Sequence, residues 1–159
     1  MLSQIVDRAE LISLLNNTYS IRAKRPPLKV IILGSRIVPE AMLELIKKRD
    51  DLRENYLVDL KNLDENLFLF RLTKKFGSKL IRGNIVIDTS QKGLWIVITD
   101  EKVYFVRFVV ERLFELLYPH LCRLYLNTLQ IKSFLEDVGK KCEGSVKISY
   151  FVAKIEPKP

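Results

Sequence analysis

The spacing between apolar residues changes along this chain of 159 residues, and the change constrains the fold more than any other feature. In the stretch from Ile5 to Leu15 these residues recur at intervals of three and four, which predicts an amphipathic helix with Ser3 as its cap. Further along, the interval shortens to two, as Tyr56, Val58 and Leu60 alternate with polar residues. A chain that combines the two periods is expected to pack helices against a sheet.

The first strand is predicted at the run from Leu28 to Leu33, which is apolar apart from Lys29, is rich in β-branched residues and ends at Gly34. Such a continuous run is typical of a strand buried on both faces. Pro39 suits the first turn of a helix over residues 40–49, whose acidic start and basic end complement the helix dipole. These residues therefore predict a strand, a short loop and a helix.

Further strands are predicted in the middle of the chain, at Leu67–Leu72, Ile85–Ile87 and Leu94–Ile98. The turn-like segment Thr89–Gly93 lies between the last two. We therefore expect these two strands to form an antiparallel hairpin.

A helix that is apolar around most of its circumference is predicted at Val103–Tyr118, because Arg107, Glu111 and Glu115 follow one another at spacings of four. Aromatic residues at helical spacing are expected to pack in the core, and so is Trp95 in the strand before this helix. The aromatic residues concerned are Phe105, Phe108, Phe114 and Tyr118.

The last part of the chain predicts a right-handed strand–helix–strand crossover, formed by Arg123–Leu126, Thr128–Val138 and Val146–Ile155. We therefore expect a single α/β domain of the mixed α+β kind over residues 1–159. Its mixed sheet would carry strand–helix–strand units at both ends and an antiparallel hairpin in the middle, with helices packed on the sheet. Residues 156–159 are expected to be a flexible tail or the start of a removed segment.

The charge balance of the chain indicates an anionic partner. The 27 Lys and Arg residues outnumber the 19 Asp and Glu residues, which gives a formal net charge of +8 at pH 7. No metal-ligand spacing, nucleophile motif or nucleotide-binding fingerprint accompanies this charge, so we expect no cofactor, no metal and no catalytic residue. We expect a non-catalytic domain that binds DNA or RNA mainly through phosphates, or that acts as an accessory subunit of a nucleic-acid-handling complex.

Two segments without acidic residues, 22–36 and 71–82, carry the candidate nucleic-acid contacts. The second contains Phe76–Gly77–Ser78, which predicts a flexible basic loop whose aromatic ring can stack on a base. The predicted contact residues are Arg22, Lys24, Arg25, Arg36, Arg71, Lys74, Lys75, Lys79 and Arg82.

A rival hypothesis is a metal-dependent nuclease. Asp88, Asp100 and Lys102 resemble the pattern of restriction-endonuclease-like nucleases, in which two carboxylates hold a divalent metal and a lysine assists the attacking water. However, in an antiparallel hairpin the two carboxylates would lie at opposite ends of one strand, roughly 20 Å apart. The triplet that contains Asp100 and Lys102 is also an ordinary polar turn, and we expect no metal-dependent cleavage.

Two weaker motifs have ordinary structural explanations. Gly34–Ser35–Arg36 leaves a strand and enters a helix, where an anion can bind, yet a single glycine is no phosphate-binding fingerprint. His120 and Cys122 are two residues apart and lack the further ligands of a zinc site, so they are expected to be structural at a helix end.

Cysteine usage favours a reducing compartment. Cys122 and Cys142 are the only cysteines, and their spacing matches neither a disulfide framework nor a zinc pair. Charged residues interrupt the apolar N-terminal stretch, which is unlike a signal peptide. We expect a cytoplasmic protein with no membrane partner. A protein partner stays open, as does a third hypothesis, a ligand-sensing or protein-interaction domain whose charge serves solubility.

Overall fold

The computed structural model describes residues 5–20 and 29–124 together with Ser133. The chain divides into two compact units, Met1–Leu124 and Tyr125–Pro159. The strand predicted at Arg123–Leu126 is shifted, since a described strand covers Leu121–Arg123 and Leu124 lies beyond it. Of the second unit only the helical Ser133 is described, so the rest of the predicted strand–helix–strand crossover and the tail lie outside the described residues. Residues 22–28 of the first segment without acidic residues, and the cap predicted at Ser3, lie outside them as well. The single domain over residues 1–159 stays a prediction.

The described elements of the first unit are helices and strands, with four consecutive strands in the middle of the chain. The helices are α1 (Arg8–Ser20), α2 (Pro39–Lys48), α3 (Asp50–Asn55), α4 (Val103–Phe105) and α5 (Arg112–Leu116). The strands are β1 (Lys29–Ser35), β2 (Tyr56–Asp64), β3 (Leu67–Phe76), β4 (Lys79–Asp88), β5 (Leu94–Thr99) and β6 (Leu121–Arg123).

Helix α1 begins after a reciprocal cap. The Asp7 carboxylate accepts the backbone N–H of Glu10 at 2.8 Å, and the Glu10 carboxylate accepts the backbone N–H of Val6 at 2.8 Å. The first bond satisfies one of the N–H groups that a helix start leaves without an intrahelical partner, and the second holds the residue just before the cap.

The six strands form one sheet in the order β2–β3–β4–β5–β1–β6. The α+β class is confirmed, since helices pack on this sheet. The hairpin across Thr89–Gly93 is confirmed as well, because β4 and β5 pair on either side of this loop. Every described strand pair is antiparallel, whereas a mixed sheet was expected. The strand–helix–strand unit from β1 to β2 ends with its two strands four positions apart in the sheet, so it makes no parallel pair.

One face of the sheet is covered by helices. A segment of π-helix (Val106–Glu111) joins α4 to α5, and we call these three consecutive segments the long helix. Its buried side chains pack with those of α2, α3 and the strands into the larger of two apolar clusters. The largest fully buried members of this cluster are Phe70, Leu33, Met42, Leu52, Leu72, Ile85, Ile87, Leu113 and Leu117.

The described residues cover only part of the opposite face. Ile5 and, from α1, Leu11 pack there against side chains of β3, β4 and β5 in a second cluster. Beyond this cluster lies a part of the sheet that we call the open face, where the apolar side chains Leu57 and Leu80 are 54% and 50% exposed. The strand alternation assigns to the open face Leu57, Asp59, Arg71, Thr73, Lys75, Leu80, Arg82 and Asn84.

Two expectations about burial were wrong. Strand β1 is buried on one face only, since Ile31 and Leu33 are buried while Val30 is 55% exposed. An apolar run therefore did not mark a strand covered on both sides. On the long helix and just after it, Phe108 and Tyr118 are 45% and 71% exposed, because only one side of the helix faces the sheet. Trp95, Phe105 and Phe114 are buried as predicted.

Candidate nucleic-acid interface

The second basic segment, 71–82, forms most of a long hairpin of β3 and β4. The register pairs Leu67 with Asp88 at one end and Phe76 with Lys79 at the other, so the two strands remain paired along their whole length. Gly77 in the connecting turn has a φ of +58°, a conformation that favours glycine. The segment predicted as a basic loop is thus two strands joined by a tight turn.

Strand alternation distributes the predicted cations of this hairpin over both faces of the sheet. Arg71, Lys75 and Arg82 lie on the open face, whereas Lys74 and Lys79 lie on the helix-covered face. Successive side chains of a strand point to opposite faces, so cations that are adjacent in sequence cannot all meet one ligand. The structure therefore brings together three of the five predicted cations of this segment.

A cleft of about 390 Å³ lies on the open face between Arg71 and Arg82. In the register Arg71 is opposite Asn84 and Arg82 is opposite Thr73, so the two arginines are diagonal neighbours on adjacent strands. Long side chains reach each other across such a diagonal. The residues that line the cleft are Arg71, Leu72, Thr73, Arg82, Gly83, Asn84 and Glu101.

The charges beside the cleft leave both guanidinium groups accessible. Asp59 lies directly opposite Arg71 on β2, with 3.6 Å between Asp59 Oδ2 and Arg71 Nη1. Both side chains are more than half exposed, and an exposed pair of this kind contributes little to stability. No ion pair joins Arg82 to another residue in the described part of the chain. An incoming phosphate can therefore contact both arginines.

Polar groups around Asn84 hold one end of the cleft in place. The Thr99 hydroxyl donates to the Asn84 carbonyl at 2.8 Å, and the Asn84 backbone N–H donates to Glu101 Oε1 at 3.1 Å. The Thr99 hydroxyl oxygen also accepts the backbone N–H of Glu101 at 3.1 Å. Glu101 thus places a carboxylate in a cleft flanked by cations, where it can accept hydrogen bonds from a ligand.

Lys74 is engaged on the opposite side of the sheet. Its ammonium donates to the Phe108 carbonyl of the long helix at 2.8 Å and lies 5.3 Å from the centre of the Tyr56 ring. Partial burial and the nearby Arg112 guanidinium lower the pKa of Lys74. Its position suits contact between the helix and the sheet, rather than the phosphate contact predicted for it.

The first basic segment contributes less to the described site. Arg36 is exposed after β1, and its backbone N–H donates to the His120 carbonyl at 3.0 Å. Arg22, Lys24 and Arg25 lie outside the described residues. Their assignment as nucleic-acid contacts stays a prediction.

The Gly34–Ser35–Arg36 turn makes local hydrogen bonds. The Ser35 hydroxyl donates to the Ile37 carbonyl at 2.7 Å and accepts the Ile37 N–H at 3.2 Å. Gly34 belongs to β1 and not to the loop. These local hydrogen bonds are those of the ordinary strand-to-helix turn that the sequence predicts.

The three residues of the nuclease hypothesis lie apart. Arg8 donates to both oxygens of the Asp88 carboxylate, at 2.6 Å from Nη1 and 3.2 Å from Nη2. Asp88 is paired with Ile96, so Asp100 lies four residues further along β5, about 13 Å at 3.3 Å per residue. This separation is shorter than the expected 20 Å, yet still too long for one metal ion to bridge. Lys102 precedes α4, and the described residues contain no cluster of metal-ligand type.

His120 and Cys122 follow the long helix. The His120 N–H donates to the Leu117 carbonyl at 2.9 Å, and the Cys122 thiol lies 3.9 Å from the Pro119 carbonyl. Both contacts are local to the end of the helix, as the sequence indicated.

Sequence reasoning did not identify Thr73, Asn84 and Glu101 as residues of the cleft. Thr73 and Asn84 extend the two predicted strands toward the turn, and an alternation of polar and apolar residues that continues past Leu72 was the signal available. Glu101 reaches the cleft only because β5 ends beside β4. That proximity depends on the register between the strands and has no signal in the local sequence.

Comparisons with known proteins identify no relative: no family model matches the chain, and no curated protein or solved structure matches it. Within the described residues, no helix has both the length and the apolar character needed to cross a membrane.

Proposed function

We propose that this protein binds nucleic acid without catalysing a reaction on it, and that the open face contacts the phosphates. The observation that carries the proposal is the placement of Arg71, Lys75 and Arg82 on the open face, with both arginines lining one cleft. A guanidinium can donate two parallel hydrogen bonds to a phosphate, which makes arginine well suited to this contact.

The open face offers cations without an aromatic platform. Among the described residues of this face, the uncharged ones are Leu57, Thr73, Leu80 and Asn84, and none carries a ring on which a base could stack. Phe76, the ring predicted to stack on a base, lies on the helix-covered face. Phosphate contacts carry little sequence information. We therefore expect similar affinities for unrelated sequences, in keeping with an accessory role beside a partner that supplies specificity.

Fluorescence anisotropy with labelled single strands and duplexes of DNA and RNA tests this function. For three phosphate contacts on a single strand, the slope of log affinity against log salt is about −2, so affinity falls about 20-fold between 50 and 200 mM salt. Lack of binding at 50 mM salt to all four probes would remove the proposal.

A double charge reversal locates the contact surface. Arg71→Glu with Arg82→Glu should abolish most of the binding, because it replaces both guanidinium groups of the cleft with carboxylates. The matched control is Lys48→Glu with Lys92→Glu, which changes the net charge equally at exposed positions outside the open face. An equal loss in the control variant would show that overall charge, and not the open face, governs binding.

A further inference from the structure

Near its hairpin turn, β4 has an edge with which no described strand pairs. Strand β5 pairs only with Val86, Ile87 and Asp88 of β4, so the part of β4 from Lys79 to Gly83 has no described neighbour on that side. The missing neighbour has a structural reason: after Thr99 the chain leaves the sheet and enters the long helix.

The direction of the backbone groups along this edge follows from Asn84. Its N–H and C=O both point away from β3, since they bond to the Glu101 and Thr99 side chains. Backbone groups in an antiparallel strand alternate between its two sides, so Leu80 and Arg82 direct their N–H and C=O to the same side as Asn84. Among the described residues no hydrogen bond is made to these outward groups.

The side chains around the edge define what can pair with it. Leu80 and Arg82 lie on the open face, where Leu80 is 50% exposed and Arg82 is exposed. On the other face the Phe105 ring packs against Gly83, and the preceding Val103 and Tyr104 are 58% and 50% exposed. A strand laid along the edge would thus meet Arg82 and Leu80 on the open face. On the other face it would meet Lys79 and Ile81 of β4, together with the exposed apolar side chains at the start of the long helix.

We propose that this edge binds an extended acidic segment of a partner protein as a seventh, antiparallel strand. An unpaired edge is a template for strand addition, in which backbone hydrogen bonds supply affinity and alternate side chains supply specificity. Acidic residues of the segment face Arg82, and its apolar residues lie beside Val103 and Tyr104. A second copy of the chain fits less well, because self-pairing would bring Lys79 and Arg82 of two strongly basic chains together.

The probe is a fluorescein-labelled peptide of nine residues that alternates valine and glutamate. We expect it to bind, whereas a peptide with lysine in place of glutamate does not. In an antiparallel pair, directly opposed residues lie on one face, and opposed pairs alternate between those that exchange backbone hydrogen bonds and those that do not. Because Leu80 and Arg82 direct their N–H and C=O outward, the peptide residues opposite them, the glutamates on the open face, would be the hydrogen-bonded ones. N-methylation of the glutamates should therefore abolish binding, while N-methylation of the valines should leave it unchanged within twofold.

A proline substitution tests the same edge from the side of the protein. Leu80→Pro removes an outward N–H and no hydrogen bond to β3, so the hairpin is expected to persist while peptide affinity falls at least tenfold. Leu80→Ala is the matched control, since it shortens the side chain but retains the N–H. Equal affinities of the two variants for the peptide would overturn the proposal. If Leu80→Pro does not fold, the two N-methylated peptides still decide the question.

Loss of peptide binding in Leu80→Pro can be told apart from loss of nucleic-acid binding, because this variant retains Arg71, Lys75 and Arg82. Retained DNA or RNA binding with lost peptide binding supports strand addition alone. Sedimentation of the chain without peptide gives a further result. A concentration-dependent dimer that Leu80→Pro abolishes would assign the edge to a second copy and contradict the acidic partner.

Discussion

At the scale of single residues, the partners of a side chain decide its role more than its type does. Asp88 has the chemistry of a metal ligand, but Arg8 donates to both of its oxygens and the Ser90 N–H donates to Oδ1 at 2.8 Å. Burial by itself would raise the pKa of Asp88; hydrogen bonds from Arg8 and Ser90 outweigh burial and lower this pKa. The carboxylate therefore stabilises the contact between the segment that begins α1 and the end of β4.

Asp88→Asn tests this contact. The pKa of Asp88 is lower in the folded protein than in the unfolded chain, where an aspartate has a pKa of about 3.9. The ionised carboxylate therefore stabilises the fold fully above this unfolded pKa, and the stabilisation is lost as the pH falls through the folded pKa. We expect the substitution to lower the free energy of unfolding by about 1–2 kcal/mol at pH 7, and by much less near pH 2. Urea denaturation at both pH values measures the difference.

The control for Asp88→Asn is Asp59→Asn, at the exposed ion pair with Arg71. It should change the free energy of unfolding by less than about 0.5 kcal/mol. If Asp88→Asn cost no more than this control at pH 7, the contact with Arg8 would have no part in stability.

At the scale of elements, the long helix depends on one small residue of the sheet. A Cβ atom built on Gly83 would lie 2.7 Å from the Phe105 ring, which is closer than such atoms approach each other. The ring is buried against the strand and has little room to move. Gly83 therefore allows α4 to pack at the point where the long helix begins to cross the sheet.

Gly83→Ala is expected to lower the free energy of unfolding by about 1–3 kcal/mol, because the Phe105 ring or the backbone has to shift. Gly34→Ala is the matched control in β1, since the nearest atom there is Leu124 Cδ2 at an ordinary 3.5 Å. Chemical denaturation of both variants measures the difference. Equal effects of the two substitutions on the free energy of unfolding would show that the close contact between Gly83 and the Phe105 ring does not affect stability.

At the scale of the whole molecule, the described core lies within the first compact unit. Both apolar clusters are formed by residues between Ile5 and Leu121, on the two faces of one sheet. A unit with its own core is expected to fold alone. The second compact unit begins at Tyr125, after β6.

A fragment of residues 1–124 is therefore expected to unfold in one cooperative transition. Far-ultraviolet circular dichroism and the fluorescence of Trp95, the only tryptophan of the chain, should report the same midpoint in urea. A fragment that shows secondary structure but no cooperative change in Trp95 fluorescence would instead support the single domain predicted over residues 1–159.

The sequence by itself determined the local elements and the surplus of positive charge. Pro39 starts α2, the alternation at Tyr56 marks β2, and the hairpin around Thr89–Gly93 forms as predicted, because these features depend on residues close together in the chain. The two basic segments were also visible, since a run of cations without acidic residues needs no structure to be recognised.

Only the tertiary structure decided which of these residues act together. It separated Lys74 from Arg71 and Arg82, placed Glu101 in the cleft between the arginines, and ended β5 before it could cover the edge at Leu80. The separation of Lys74 from Arg71 follows from the alternation of side chains once residues 71–76 are known to form a strand. The position of Glu101 and the open edge at Leu80 depend on strand register, which decides which residues lie side by side and where a pairing stops. Register is set by packing between residues far apart in the chain, and the spacing of residues within one segment does not contain it.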